Sequence, residues 1–222
     1  MKPFRPPTAH VTRIILIACI ALQLLALLMG AQFDQWLVLS AGLVPARLTG
    51  AVAPLQGALP APVTLITHIF LHGGLAHLAM NMVFLGWVGR NVEWLLGPWR
   101  FAALFLLGGI AGGLLQVFMA PASVIPVVGA SGAISAVFAT YALLFAQSGE
   151  APVRWLGLKI SGETIRALRY AALWIGLQLL TAVAFEVPGM GGVAIWSHIG
   201  GFVAGLLFGL PRVRNRTEKD FQ

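Results

Sequence analysis

Charge is what this sequence has least of. Only 9% of its residues are Asp, Glu, Lys or Arg, against roughly 25% in soluble globular domains. Acid is scarcer than base, 7 residues against 14, and the 222-residue chain holds a single cysteine, Cys19, inside an apolar run. One thiol excludes a disulfide framework and a thiolate metal site, so Cys19 reads as a small apolar packing residue. Low charge combined with 59% hydrophobic residues excludes an ordinary soluble domain. The expectation is an all-α membrane protein, one compact helical bundle with little outside the bilayer.

What is present is a series of apolar runs. Residues 1–13 form a short basic leader, and 14–30 a run longer than the roughly 7–15 apolar residues of a signal peptide, which favours an uncleaved helix. Further runs cover 75–95, 101–118, 131–146, 170–185 and 194–210, giving six expected spans. Residues 31–60, spotted with Pro and Gly, read as an interfacial outer loop with short helical pieces. Residues 147–169 read as a polar, basic connector and 186–192 as a Gly-rich turn. The expected organisation is a cytoplasmic leader over 1–13, a membrane domain over 14–211 with 31–74 as its first outer-loop region, and a basic cytoplasmic tail over 212–222.

The placement of lysine and arginine orients the bundle. With the N-terminus inside, thirteen of the 14 fall in inner segments and only Arg47 lies outside, the bias that sets topology. The positive charge is then an orientation device beside anionic lipid, and no nucleic-acid partner is expected. This topology puts the starts of spans two, four and six at one depth, near the outer surface. His77 and Asn81, Ser131, and His198 lie there, on three different helices.

Ser131 follows a Pro- and Val-rich loop and opens an apolar run, in Gly129-Ala130-Ser131-Gly132. Such a corner presents a hydroxyl and helix-start N–H groups to a developing negative charge; alternatively, its small residues serve only helix packing. A serine needs a base, and neutral imidazole is the usual one. His198 is the candidate. Gly201, Gly205 and Gly209 follow it on its own helical face, a stripe that lets a neighbouring helix approach to backbone contact. Span four offers the answering small residues Ser131, Gly132, Ser135, Ala136 and Ala139. His77 and Asn81, four apart, share a face and carry donors suited to an oxyanion, or else simple interhelical hydrogen bonds. His68 and His72 read as loop-anchoring groups, because the zinc-protease pattern needs a glutamate where Ile69 stands. Neither a metal nor another cofactor is expected. Gln116 and Gln178 read as polar links within the bundle, and Glu93 as a cap or a partner for Arg90 or the inner loop.

Taken together, Gly129-Ala130-Ser131-Gly132, His77-x-x-x-Asn81, Ser197-His198-Ile199-Gly200-Gly201 with Gly205, and Gly89-x-x-x-Glu93-x-x-x-Gly97 resemble the rhomboid intramembrane serine proteases over roughly residues 64–210. The resemblance implies a six-transmembrane-helix bundle with a Ser–His dyad. Ser131 would be nucleophile, His198 base, and His77, Asn81 and the Ser131 backbone N–H the oxyanion donors. Gly129, Gly132, Gly201, Gly205 and Glu93 would be structural. It further implies transmembrane protein substrates cut near their outer ends, in the lipid bilayer of a bacterial inner membrane. Three positions depart from the family pattern: Ser135 stands where an aromatic often stacks on the base, Ser197 where alanine is usual, and Pro62-Val63-Thr64 where a Trp-Arg pair is common. Another residue than Ser135 is therefore expected to hold the His198 ring. Two rival readings are a non-proteolytic rhomboid-like adaptor or chaperone that binds transmembrane helices, and a solute channel. The channel would need a polar inner path that Val137, Phe138, Leu143 and Leu144 do not offer.

Overall fold

The structure is a computed structural model that describes residues 9–53, 55–145 and 194–219, together with 153–155, 158–162 and scattered positions from 165 to 176. The long helices are α1 (His10–Met29), α5 (Leu75–Leu96), α6 (Pro98–Met119), α7 (Ser131–Phe145) and α8 (Ile195–Lys219). Short helices α2 (Ala31–Ala41), α3 (Pro45–Leu48) and α4 (Thr64–Thr67) fill the region between α1 and α5. The expected fifth span lies largely outside the described residues, as do the turn at 186–192 and Gln178. Where the sequence reading put only a polar connector, two three-residue strands, β1 (Val153–Trp155) and β2 (Leu158–Ile160), pair antiparallel.

The burial pattern differs from that of a water-soluble bundle: the core is largely apolar, and so is much of the surface. On α1 the buried face includes Thr12 and Gln23, while Ile14, Ile17 and Leu28 are exposed, Leu28 to 86%. Large exposed apolar side chains are what hydrocarbon solvent permits. α1 and α6 are each long and apolar enough to cross a membrane, and α5 joins them if it is counted with residues 61–70, from which it bends by 77°. The chain is thus a helical membrane bundle.

At its centre α6, α7 and α8 meet with almost no side chain between them. A Cβ on Gly201 would strike the Gly132 carbonyl, and one on Gly205 the Ala136 carbonyl. Thr140 closes the same seam by donating its hydroxyl to the Gly205 carbonyl at 2.9 Å. Contacts advance in step along both chains, so α7 and α8 run parallel. α6 runs opposite to them, its Gly108 against Ala136 and its Gly112 against Ser197. Phe84 and Trp87 of α5 meet Phe138 and Tyr141 of α7 in the same order, at 5.4 and 5.9 Å between ring centroids. α5, α7 and α8 are therefore parallel, and their first turns lie at one end of the bundle.

α1 docks antiparallel on α5, and its N-terminus is held from outside its own sequence. Ala9 offers no side-chain cap. The Glu93 carboxylate accepts from the Val11 and Thr12 N–H groups at 2.9 and 2.8 Å and from the Thr12 hydroxyl at 2.7 Å. This supplies the anionic cap that a helix start favours. Of the roles open to Glu93 in the sequence, the structure shows the cap.

Candidate active site

The loop before α7 is tied at several points. Leu43 and Val127 exchange backbone hydrogen bonds at 3.1 and 2.8 Å, the Ala46 N–H donates to Ser123, and the Gly129 N–H donates to the His68 carbonyl at 2.9 Å. His68 is itself fixed by a bond from Nδ1 to the Thr64 carbonyl at 2.8 Å. Gly129 has φ +124°, a left-handed conformation that L side chains rarely adopt. The chain then turns into α7 with Ser131 as its first residue. The first intrahelical bond there, from the Ile134 N–H to the Ala130 carbonyl, leaves the N–H groups at the head of α7 without intrahelical acceptors.

Ser131 and His198 are brought together. The Ser131 hydroxyl lies 2.6 Å from Nε2 of His198. With the ring neutral and its proton assigned to Nδ1, the hydroxyl donates and Nε2 accepts. His198 is 4% exposed and sits in the first turn of α8, which the Gly201–Gly132 approach presses against α7. Ser135 turns away from this pair, its hydroxyl donating to the Ser131 carbonyl at 2.8 Å. The helix seam beneath His198 and the hydroxyl in front of it both help to locate the ring. Behind it, the Ser197 N–H donates to Oε1 of Gln116 on α6 at 3.3 Å.

His77 faces the same corner from α5. Its Nδ1 accepts from the Gly73 N–H at 3.3 Å, which puts the ring proton on Nε2. That Nε2 lies against Gly129, where a Cβ would come within 2.8 Å of it. An N–H donor is thus aimed at the mouth of the loop above Ser131. Asn81 lies one turn further along α5, 6% exposed, with one amide N–H given to the His77 carbonyl at 2.9 Å. Its second amide N–H remains for another acceptor. The two lie on one face, but Asn81 is anchored to the helix rather than to Ser131.

Of the two histidines read as loop anchors, only His68 acts as one. His72 is buried to 2% exposure, and neither ring nitrogen makes a hydrogen bond among the described residues. The reason is local. His68 follows a helical turn whose carbonyl at Thr64 it reaches, whereas His72 sits in the extended break before α5. Burial, with the His77 ring adding to it, pushes the His72 pKa down to about 3. Among the described residues no group of three metal-ligating side chains comes together. The bridge between Leu43 and Val127 has no signal in the sequence, because two short apolar stretches separated by α3, α4, α5 and α6 carry no pairing pattern.

The arrangement combines a hydroxyl on a neutral imidazole, an imidazole N–H and open helix-start N–H groups. Such a set can take a proton from a nucleophile and stabilise a neighbouring oxyanion. Comparison with known proteins bears on the family of the chain. Residues 61–215 match the model of the Rhomboid domain. The chain is similar to RHOMBOID-like protein 4 of Arabidopsis thaliana, 32% identical over 140 residues that cover 63% of this chain and 31% of that protein. It is similar to human Rhomboid-related protein 3, at 28% over 159 residues, 69% of this chain and 37% of that protein. It is also similar to Rhomboid protease GluP of Bacillus subtilis, at 34% over 148 residues, 67% of this chain and 26% of that protein. The matches thus span between 26% and 37% of these three relatives.

Proposed function

The chain belongs to the rhomboid family, and on that footing we propose that it is an intramembrane serine endopeptidase that cuts transmembrane segments of other proteins. The observation that carries the reading is the 2.6 Å contact between the Ser131 hydroxyl and Nε2 of His198. Supporting it is the relative named as a protease, with 34% identity.

His198 takes the Ser131 proton as Oγ attacks the substrate carbonyl. The oxyanion is met by Nε2–H of His77, the free amide N–H of Asn81 and the Ser131 backbone N–H. His198 then passes its proton to the departing amine, the C–N bond breaks, and water hydrolyses the ester left on Ser131. A helical amide is already hydrogen-bonded within its own helix, so the scissile bond is best placed beside small or helix-breaking residues. Under this reading the protein lies in a bacterial inner membrane with its termini inside and its site opening outward. Positive charge on the inner segments favours that orientation.

The test is cleavage of a transmembrane substrate in liposomes by wild type, Ser131→Ala and His198→Ala. Each variant is expected to lose at least about 10³-fold in rate. Cleavage persisting near the wild-type rate in either variant would refute the dyad. Labelling of wild type, but not of Ser131→Ala, by a fluorophosphonate separates a protease from an adaptor that merely binds helices.

A further inference from the structure

Toward the end of the bundle away from Ser131 stand two arginines that the chemistry above does not use. Arg13 of α1 and Arg90 of α5 are exposed, and neither side chain has a hydrogen-bond or ion-pair partner among the described residues. The two helices hold one acid between them, Glu93, and both of its oxygens are taken up by the start of α1. Guanidinium groups without a counter-charge are costly where a bundle meets hydrocarbon. Arginine is also the side chain whose planar fork matches phosphate oxygens.

Their placement follows from the contact between α1 and α5. Thr12 packs on Gly89 and Leu16 reaches Gly86, so the antiparallel helices keep step along this stretch. Arg13 comes one residue after Thr12 and Arg90 one after Gly89, which sets each about 100° round its helix from the contact line. In an antiparallel pair, equal turns in the same sense lead to the same side. Arg13 and Arg90 therefore stand level with each other and flank one crevice. Helical spacing continues that side into Ile17, Ile20 and Leu24 on α1 and Val83 on α5. All four are exposed, Val83 to 76%. The crevice thus has a cationic head and an uncovered apolar length.

We propose that this crevice binds an anionic phospholipid, its phosphate on Arg13 and Arg90 and an acyl chain along Ile17, Ile20, Leu24 and Val83. Arginine reaches a headgroup while its stem lies along apolar surface. A zwitterionic lipid carries its own cation beside the phosphate, so the two arginines select net negative charge. The apolar length separates a lipid from a free phosphate ion, which gains nothing by covering it. The bound lipid clamps α1 to α5 from outside, on the stretch that Glu93 clamps from within. The inference does not rest on the protease reading of Ser131 and His198.

The experiment uses the full chain in detergent, titrated with phosphatidylglycerol, phosphatidylcholine or inorganic phosphate, and reads binding as a rise in the unfolding midpoint. Phosphatidylglycerol is expected to raise the wild-type midpoint to a plateau, and the other two to leave it unmoved at the same concentrations. In the double variant Arg13→Gln with Arg90→Gln, the half-saturating concentration is expected to rise at least about tenfold. Arg214→Gln with Arg216→Gln removes equal charge from the same end, because α8 runs parallel to α5, and is expected to stay within about twofold of wild type. An equal loss in both double variants overturns the proposal in favour of diffuse attraction to charge. It is also overturned if phosphatidylcholine or inorganic phosphate acts as strongly as phosphatidylglycerol, or if the Arg13 and Arg90 double variant responds like wild type. Where that variant does not fold, Arg90→Gln alone takes its place, with a loss of at least about threefold expected. Failure of both to fold overturns the proposal in favour of a structural role for the two arginines.

Discussion

The two walls of the site are built differently. The wall carrying Ser131 and His198 is a seam of backbones, in which Gly132, Gly201, Gly205 and Gly112 leave no room for a single added carbon. The wall carrying His77 and Asn81 is α5, held by side chains: Phe84 and Trp87 against Phe138 and Tyr141, and Glu93 against the start of α1. Backbones in contact have no rotamers through which to relax, whereas side chains do. Ser131 and His198 are thus set with little tolerance, while His77 and Asn81 stand on a helix that can shift slightly. The comparison predicts that equal changes in volume have unequal effects on the two walls.

The largest effect is expected from Gly201→Val. Its side chain would meet the Gly132 carbonyl, which cannot move without carrying Ser131 with it. Overpacking of a core ordinarily costs about 1–3 kcal/mol, and a backbone obstacle places this case at or above the upper end. Substrate cleavage in liposomes is expected to fall by at least about 10³-fold, with a lower unfolding temperature in detergent. Retention of both would mean that the seam opens more easily than its geometry implies.

Gly129→Ala comes next and strikes the junction between the walls. Alanine would be strained at φ +124° and would sit 2.8 Å from Nε2 of His77. The His77 ring must turn aside, removing one of the proposed oxyanion donors. A loss of about 10²-fold in kcat is expected, with KM nearly unchanged. A change confined to KM would mean that His77 contacts substrate rather than the oxyanion.

Glu93→Gln tests the end of α5 away from the site. It exchanges an acceptor of three hydrogen bonds for an amide with one acceptor oxygen. A destabilisation of about 2 kcal/mol is expected, read as a lowered unfolding midpoint, with cleavage within about threefold of wild type. A collapse of activity without loss of stability would join the start of α1 to the site, and the two walls would then not be independent.

Much of this was legible in the sequence because membrane helices write their contacts in small residues. Gly201, Gly205 and Gly209 fall on the face of His198, and a face without side chains is read directly from their spacing. The expected alternation of spans gives the helices of His77, Ser131 and His198 one common direction, and the parallel run of α5, α7 and α8 agrees with it. Other features were not legible, for identifiable reasons. The partner of Glu93 is a pair of backbone N–H groups 81 and 82 positions away, and backbone donors have no sequence signature. The hairpin in the connector did leave a trace, the alternation Val153-Arg154-Trp155 and Leu158-Lys159-Ile160. It is a period-two signal too short to stand out in a basic stretch. His72 reads as an anchor alongside His68 because Ile69 breaks the zinc-protease pattern, and the sequence does not show that only one of the two reaches a carbonyl. The chain is extended from Leu71, so the two rings do not share a face.

The smallest effect is expected where α5 has slack. A Cβ on Gly86 would meet nothing closer than Cδ1 of Leu16, at 4.0 Å, ordinary contact with the end of a flexible side chain. Gly86→Ala therefore adds packing against α1 and removes backbone freedom from the unfolded chain, which for an unstrained helical position is worth about 0.5–1 kcal/mol in favour of folding. Cleavage is expected to match wild type, with the unfolding midpoint unchanged or slightly raised. Gly201 and Gly86 are both helical glycines in the same bundle, so propensity alone would give them the same response. A fall in activity from Gly86→Ala comparable to that from Gly201→Val would show that α5 is as tightly registered as the seam, and that the wall of His77 and Asn81 is no more compliant than the wall of Ser131 and His198.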